Sequence, residues 1–168
     1  SDAHTSILRD LERDIDGIRY DVGGGEKIEL PVKLKVHNSV FVPLAKWAML
    51  MAGNYRCVTK DGMRPIKDAV HTDINATRDM YNWVVKLCTD LGADAGDMVP
   101  FEKYANAALS LQSPSSAARA LYGGAPNIER VDRLVQCVAK QKGRSSPVLD
   151  ETVKLVDAQL EKNRAAKK

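Results

Sequence analysis

Residues 113–135 read SPSSAARALYGGAPNIERVDRLV and hold the densest set of helix signals in the chain. Ser115 or Ser116 can cap a short helix over 116–122, because a serine hydroxyl accepts a hydrogen bond from a free N–H of the first turn. The glycine pair at 123–124, followed closely by proline, breaks that helix. The stretch therefore predicts a helix, a break and a new helix start.

The second half of the stretch predicts a longer helix. Apolar residues recur at helical spacing from Ile128 to Val138, and Asn127 can cap a helix over 128–142. Glu129 would lie in its first turn, where a carboxylate offsets the partial positive charge of the free N–H groups. This helix-stabilising role is enough to explain a glutamate at position 129. The functional interpretation is that it holds a lysine ammonium or a substrate hydroxyl.

Helical periodicity extends over most of the remaining chain. The other predicted helices are 5–15, 32–52 with a kink or break at Pro43, 66–91, 101–111 and 147–163. Residues 18–30 alternate around three glycines, which predicts a short β-hairpin or an extended arm. The fold class is therefore all-α, a single domain of six or seven helices. We expect residues 1–30 to form an N-terminal helix with a glycine-rich arm, and residues 31–168 to form a helical substrate-binding or catalytic domain.

The composition argues against several classes of function. A net charge of +3 and a pI near 8.7 are too weak for the concentrated basic face that nucleic-acid binding needs. No run approaches the ~20 apolar residues of a membrane span. The three cysteines are odd in number and far apart, so we expect neither a metal cluster nor a disulfide framework. Cys88 and Cys137 lie among apolar residues, which predicts buried thiols in a cytoplasmic protein.

A second group of polar side chains precedes the apolar helix that contains Pro43. It consists of Lys33, Lys35, His37 and Asn38. A helix turns about 100° per residue, so Lys35 and Asn38 would lie about 60° apart on one face, and Lys33 about 140° from Asn38. If the helix begins this early, Lys35 is the lysine that shares a face with Asn38. Solvated surface lysines are the ordinary alternative.

The order of these features resembles the C-terminal domain of the ketopantoate reductase family, a helical domain of the 6-phosphogluconate dehydrogenase C-terminal type. The resemblance spans roughly residues 31–160. Its downstream part is the serine pair at 115–116, a short helix with a glycine break, Ile128-Glu129, a long apolar helix, Ser146-Pro147 and a final amphipathic helix. A divergent reductase and a related helical domain of the wider class are both compatible with this order.

The upstream part of the resemblance is KLKVHNSVFVPL at 33–44, which is similar to the family's Lys-x-x-x-Asn-x-x-x-Asn-Pro-Leu. When the two are aligned on Pro-Leu, Asn38 matches the first asparagine. Val42 stands where the family has the second asparagine. The lysine position falls on Leu34, between two lysines, so the active lysine is Lys35 or Lys33.

The resemblance implies catalytic roles for Lys35 and Glu129, and substrate contacts for Asn38, Ser115 and Ser116. It also implies that NADP or NAD is bound mainly by a nucleotide-binding domain outside these residues, which contain no glycine fingerprint after a strand. The chain would be the substrate-side part of a reductase of a 2-keto acid or related carbonyl, a fragment that is inactive alone and binds no metal, nucleic acid or membrane. Helical domains of this kind often pair, so a homodimer is considered. The alternative is a non-catalytic helical dimerisation or interaction module with a degenerate site.

Overall fold

The computed structural model describes residues 3–30, 32–37 and 41–166. The chain divides into two compact units, Ser1–Val40 and Phe41–Lys168. Within the described residues there are eight α-helices and two small antiparallel hairpins. The all-α class is therefore confirmed, together with a small hairpin near the N-terminus.

The first unit consists of one helix and one hairpin. Helix α1 is Ala3–Gly17, and strand β1 (Arg19–Gly23) pairs with strand β2 (Glu26–Glu29). Gly24 and Gly25 form the turn with φ angles of 68° and 85°, a left-handed conformation that glycine adopts without steric cost. None of the described residues of this unit is buried. The helix and hairpin therefore have no core of their own.

The second unit holds the remaining elements. Its helices are α2 (Ala45–Met49), α3 (Ile66–His71), α4 (Ile74–Asp90), α5 (Phe101–Ala108), α6 (Ser116–Tyr122), α7 (Val131–Gln141) and α8 (Pro147–Ala165). Its hairpin pairs β3 (Val58–Thr59) with β4 (Gly62–Met63). A π-helical turn, Leu50–Asn54, continues α2 and leads into a 3-10 turn, Tyr55–Cys57. This irregular segment brings several polar groups close to α6.

The core of the second unit is mainly aliphatic. Helix α4 contributes Val84 and Leu87, and α8 contributes Val153 and Val156, all of them essentially inaccessible to solvent. Burying each such side chain stabilises the fold by about 1.5–3 kcal/mol. Leu121 of α6 is buried in the same cluster. The core therefore fixes the short helix whose N-terminus carries the two serines.

The helix predicted over 32–52 is wrong in its first part. Residues 32–37 are not helical, and the first helical turn begins at Val42 with Pro43 inside it. Proline suits a first turn, because the N–H that it lacks has no intrahelical partner there. Pro43 therefore starts the helix instead of kinking it. Asn38 lies outside the described residues.

The helix predicted over 66–91 is two helices. Asp73 separates α3 from α4, and its Oδ1 accepts a hydrogen bond from the backbone N–H of Ala76 at 2.9 Å. An aspartate in this position caps a new helix. The apolar pattern continues across the break, so periodicity alone did not reveal it.

Helix α7 is shorter than the predicted 128–142. It begins at Val131, and the side chain of Arg130, at the cap position, makes no hydrogen bond that caps the helix. The prediction that Asn127 caps this helix is wrong. Instead the Asn127 Oδ1 accepts a hydrogen bond from Arg164 at 3.2 Å. Residues 127–130 therefore form an irregular segment in front of the helix.

The cysteines are all free, and their burial differs from the prediction at one position. Cys57 and Cys88 are buried, whereas Cys137 is exposed on α7. Helical periodicity did not resolve which side of α7 faces the core at that position.

Candidate functional site

Two residues singled out from the sequence, Ser116 and Glu129, line one cleft of the second unit. The cleft has a volume of about 310 Å³. Ser116 reaches it from the first turn of α6, and Glu129 from the irregular segment before α7. Leu50 and Asn54 of the π-helical turn also line it. This volume lies at the small end of the range for clefts that bind small molecules.

Tyr55 fixes the segment that carries Glu129. Its hydroxyl donates to the backbone carbonyl of Glu129 at 2.5 Å and accepts the N–H of Val131 at 3.1 Å. Burial raises the pKa of Tyr55 to about 12, so the phenol stays neutral and can donate and accept at once. Sequence reasoning missed Tyr55, because its partners lie 74 and 76 positions downstream.

The two adjacent serines have different surroundings. The Ser115 side chain is buried; its hydroxyl accepts the N–H of Ala118 at 3.2 Å and donates to the carbonyl of Asn54 at 2.7 Å. Ser115 therefore caps α6 and ties it to the π-helical turn. Ser116 is exposed and lines the cleft. Of the two hydroxyls, that of Ser116 is the one at the cleft surface.

Glu129 is exposed, and no cation of residues 41–166 forms an ion pair with its carboxylate. Asn127, whose side-chain oxygen accepts a hydrogen bond from Arg164, also lines the cleft. The wall thus combines a carboxylate, an amide and the Ser116 hydroxyl with apolar surface from Leu50. Such a set can accept and donate hydrogen bonds to a polar ligand with a hydrocarbon part.

Both candidate lysines belong to the first unit, where carboxylates hold them. The Lys35 ammonium lies 3.2 Å from Glu12 and 3.2 Å from Asp16. Lys33 pairs with Glu29 and lies 3.2 Å from Asp16. Hydrogen bonds to Asp16 and then to Glu12 raise the pKa of Lys35, so this lysine is fully protonated at neutral pH.

A shared helix face does not favour Lys35 over Lys33. Such a face requires a helix from Lys35 to Asn38, and residues 32–37 are not helical. The structure therefore leaves both lysines as candidates. Their roles and that of Asn38, which lies outside the described residues, stay predictions.

The described residues do not form the nucleotide-binding site of a doubly wound reductase. Reductases of the doubly wound class hold NAD(P) on a parallel sheet at a glycine turn that opens a helix. The described strands form only two antiparallel hairpins, so the cofactor side of such an enzyme is not built from residues 3–30, 32–37 and 41–166.

The described part of the chain lacks two other features. It contains no group of three or more His, Cys, Asp or Glu side chains arranged to hold a metal ion. None of its helices combines the length and the apolar character needed to cross a membrane. Comparisons with protein-family models, with curated proteins and with solved structures gave no match to this chain.

Proposed function

We propose that this chain supplies the substrate side of an NAD(P)H-dependent reductase of a 2-keto acid or a related carbonyl compound, similar to the ketopantoate reductase family. One observation supports this most directly. Ser116 and Glu129, to which the resemblance gives substrate and catalytic roles, come from different elements and line the same cleft.

The residues of the cleft suit a particular kind of ligand. An ionised carboxylate only accepts hydrogen bonds, so Glu129 favours a substrate hydroxyl over a substrate carboxylate. The Ser116 hydroxyl and the Asn127 amide can donate to carbonyl or carboxylate oxygens. Leu50 and Ile128 offer apolar surface to a branched hydrocarbon part. A 2-keto acid that also carries a hydroxyl satisfies all of these groups.

The part of the reaction assigned to this chain is binding and positioning. Because the described residues do not form a doubly wound nucleotide-binding site, no hydride step is assigned to them. Lys35, with Lys33 as the alternative, keeps its proposed role as the proton donor to the carbonyl oxygen, which a fully protonated ammonium can fill. Asn38 and Ser116 are the proposed substrate contacts. Ser115 supports Ser116 by holding the start of α6.

The second candidate is a non-catalytic helical dimerisation or interaction module with a degenerate site. One observation favours it. Both lysines near the family's lysine position are engaged by carboxylates, Lys35 by Glu12 and Asp16 and Lys33 by Glu29. A lysine held in this way must exchange its partners before it can serve a substrate.

A binding measurement on the chain separates the two candidates. Ketopantoate would be titrated against the ¹⁵N-labelled protein, with 2-oxoisovalerate, which lacks the hydroxyl, as the comparison ligand. We expect saturable shifts around the cleft, tighter binding of ketopantoate, and affinities at least about tenfold weaker in Glu129→Gln and Ser116→Ala. Ser116→Ala loses a hydrogen bond to the ligand, and Glu129→Gln loses the negative charge that strengthens one.

The matched controls are Glu161→Gln and Ser145→Ala, which make the same chemical changes at exposed positions away from the cleft. Both should bind as the unchanged protein does. If neither keto acid gives a saturable shift, or if the controls weaken binding as much as the cleft variants, the reductase assignment fails. A concentration-dependent dimer in sedimentation would then support the interaction module.

A further inference from the structure

A second cleft of the second unit carries an excess of positive charge. Its volume is about 390 Å³. Arg56, Lys60 and Arg64 line it from the β3–β4 hairpin and the residues flanking that hairpin. Helix α8 contributes Glu151 and Thr152 to the lining. The reductase proposal uses none of these side chains.

The fold holds both arginines in defined positions. One terminal nitrogen of Arg56 donates to the hydroxyl of Thr77 at 2.7 Å, and Thr77 is fully buried. The Nε of Arg64 donates to the backbone carbonyl of Arg56 at 3.0 Å. A guanidinium has five N–H donors, so each arginine keeps donors for a ligand. Side chains fixed in this way lose little rotamer freedom when a ligand binds.

Arg56 and Arg64 differ in their ion pairing from the other half-buried arginines of residues 41–166. The other four are each paired with carboxylates: Arg78 with Glu102, Arg130 with Asp132 and Asp157, Arg133 with Asp157, and Arg144 with Asp90. Arg56 and Arg64 form no ion pair within the described part of the chain. The two guanidinium groups without a carboxylate partner therefore line the same cleft.

Two like charges that are partly buried next to each other are costly without a counter-charge. Burial, and then the charge of Arg64, lower the pKa of Arg56; Asp73 opposes this effect without forming an ion pair. Glu151 is exposed on the α8 side and is not paired with either arginine. An anion bound between the two guanidinium groups would supply the missing counter-charge.

We propose that this cleft binds a small oxyanion ligand, a metabolite-sized molecule that presents a phosphate or a carboxylate group to Arg56 and Arg64. Guanidinium groups recognise the paired oxygens of both groups bidentately. Lys60 is exposed at the hairpin turn and adds a third positive charge. The volume admits one small ligand.

The test is calorimetric titration of the protein with inorganic phosphate, pyrophosphate and citrate, each at an ionic strength kept constant with sodium chloride. Saturable binding is expected for at least one of the three. Arg64→Gln should weaken it by about tenfold or more, because hydrogen bonds to a charged group are lost. Lys103→Gln removes the same charge at an exposed position of α5 and should change the dissociation constant less than about twofold.

Arg56→Lys is a second variant, because it keeps the charge but removes the planar fork. It should weaken binding as well. Binding of phosphate or pyrophosphate alone identifies a phosphate ligand, and binding of citrate alone identifies a carboxylate ligand. Heat signals that do not saturate, or that fall equally in Arg64→Gln and Lys103→Gln, would overturn the proposal, because they indicate counter-ion exchange with the whole surface.

Discussion

The hydroxyl of Tyr55 donates a hydrogen bond to the backbone carbonyl of Glu129, at the wall of the cleft that Glu129 lines. The same hydroxyl accepts the N–H of Val131, the first residue of α7. Arg130, at the cap position, makes no side-chain cap bond. A side chain from a distant turn therefore takes the place of a local cap, and it fixes the helix start and the cleft wall together.

The first prediction is that Tyr55→Phe destabilises the protein by about 1–3 kcal/mol, because a partly buried N–H and a partly buried carbonyl lose their hydrogen-bond partner. Urea unfolding followed by circular dichroism measures this change. Tyr20→Phe is the control: Tyr20 is 57% exposed, so its substitution should stay within about 0.5 kcal/mol of the unchanged protein. Equal stabilities of the two variants would contradict a structural role for the Tyr55 hydroxyl.

Elements with local signals could be predicted from the sequence. Helix α6 spans Ser116–Tyr122, the bounds that the serine pair and the glycine break predicted. Helix α8 begins at Pro147, and Ser146 caps it by accepting the N–H of Leu149 at 3.4 Å. The triple glycine predicted the first hairpin. In each case the residues that set the boundary are adjacent to it in sequence.

Features that depend on distant partners could not be predicted. Tyr55, Arg56 and Arg64 lie between the predicted helices 32–52 and 66–91, and neither the π-helical turn nor the short hairpin found there has a periodic sequence pattern. Ser116 and Glu129 came from the resemblance, and spacing alone explained them as helix-terminal residues. The early helix start around Lys35 was wrong, because apolar periodicity continues into residues that are not helical.

The second prediction concerns Gly53, which is buried in the π-helical turn. A Cβ at this position would overlap the hydroxyl of Tyr104, which is hydrogen-bonded to the carbonyl of Met49 at 3.2 Å. Gly53→Ala should therefore destabilise the protein by about 1–3 kcal/mol, the usual cost of overpacking. Thermal unfolding provides the measurement. Gly17→Ala, where a Cβ meets nothing within 4 Å, is the control with little expected change.

A double variant tests whether the overlap is the cause. Tyr104→Phe removes the hydroxyl that the new Cβ would meet. In the Tyr104→Phe background, Gly53→Ala should lower the free energy of unfolding by less than it does alone. The coupling energy between the two sites should be about 0.5–3 kcal/mol. Additive effects of the two substitutions would show that the cost of Gly53→Ala arises elsewhere.

The third prediction is a loss of stability at alkaline pH. Burial raises the pKa of Tyr55 and Tyr81 to about 12 and that of Cys88 to about 11. The folded state therefore holds these protons more tightly than the unfolded state. Their contribution to the free energy of unfolding is fully present below the pKa values of the unfolded chain, about 8.5 for cysteine and about 10 for tyrosine. This stabilisation is lost as the pH rises through the pKa values of the folded protein, over roughly pH 9–12.

Urea unfolding at pH 7, 9 and 10.5 measures this effect as a falling free energy of unfolding. Absorbance at 295 nm gives an independent reading, because ionised phenolate should appear at higher pH in the native protein than in guanidinium chloride. A free energy of unfolding that stays constant to pH 11, with coincident phenolate titrations, would contradict the burial of these phenols and the thiol.

The last prediction concerns Asp132, a fully buried carboxylate in the first turn of α7. Its two oxygens accept hydrogen bonds from two nitrogens of Arg130, both at 2.9 Å, and Arg130 also donates to Asp157 of α8 at 2.7 Å. Asp132→Asn removes the charge and leaves the guanidinium facing an amide. Because breaking a buried pair costs about 3–5 kcal/mol and Arg130 keeps Asp157, we expect a loss near 3 kcal/mol.

Asp10→Asn is the matched control, since Asp10 pairs with Arg13 at 2.8 Å but both side chains are mostly exposed. It should change the free energy of unfolding by less than about 1 kcal/mol. Salt distinguishes the two further: 0.5 M sodium chloride should leave the Asp132→Asn effect nearly unchanged, because a buried pair is screened little. If Asp132→Asn costs no more than Asp10→Asn, the buried Asp132–Arg130 pair does not stabilise the start of α7.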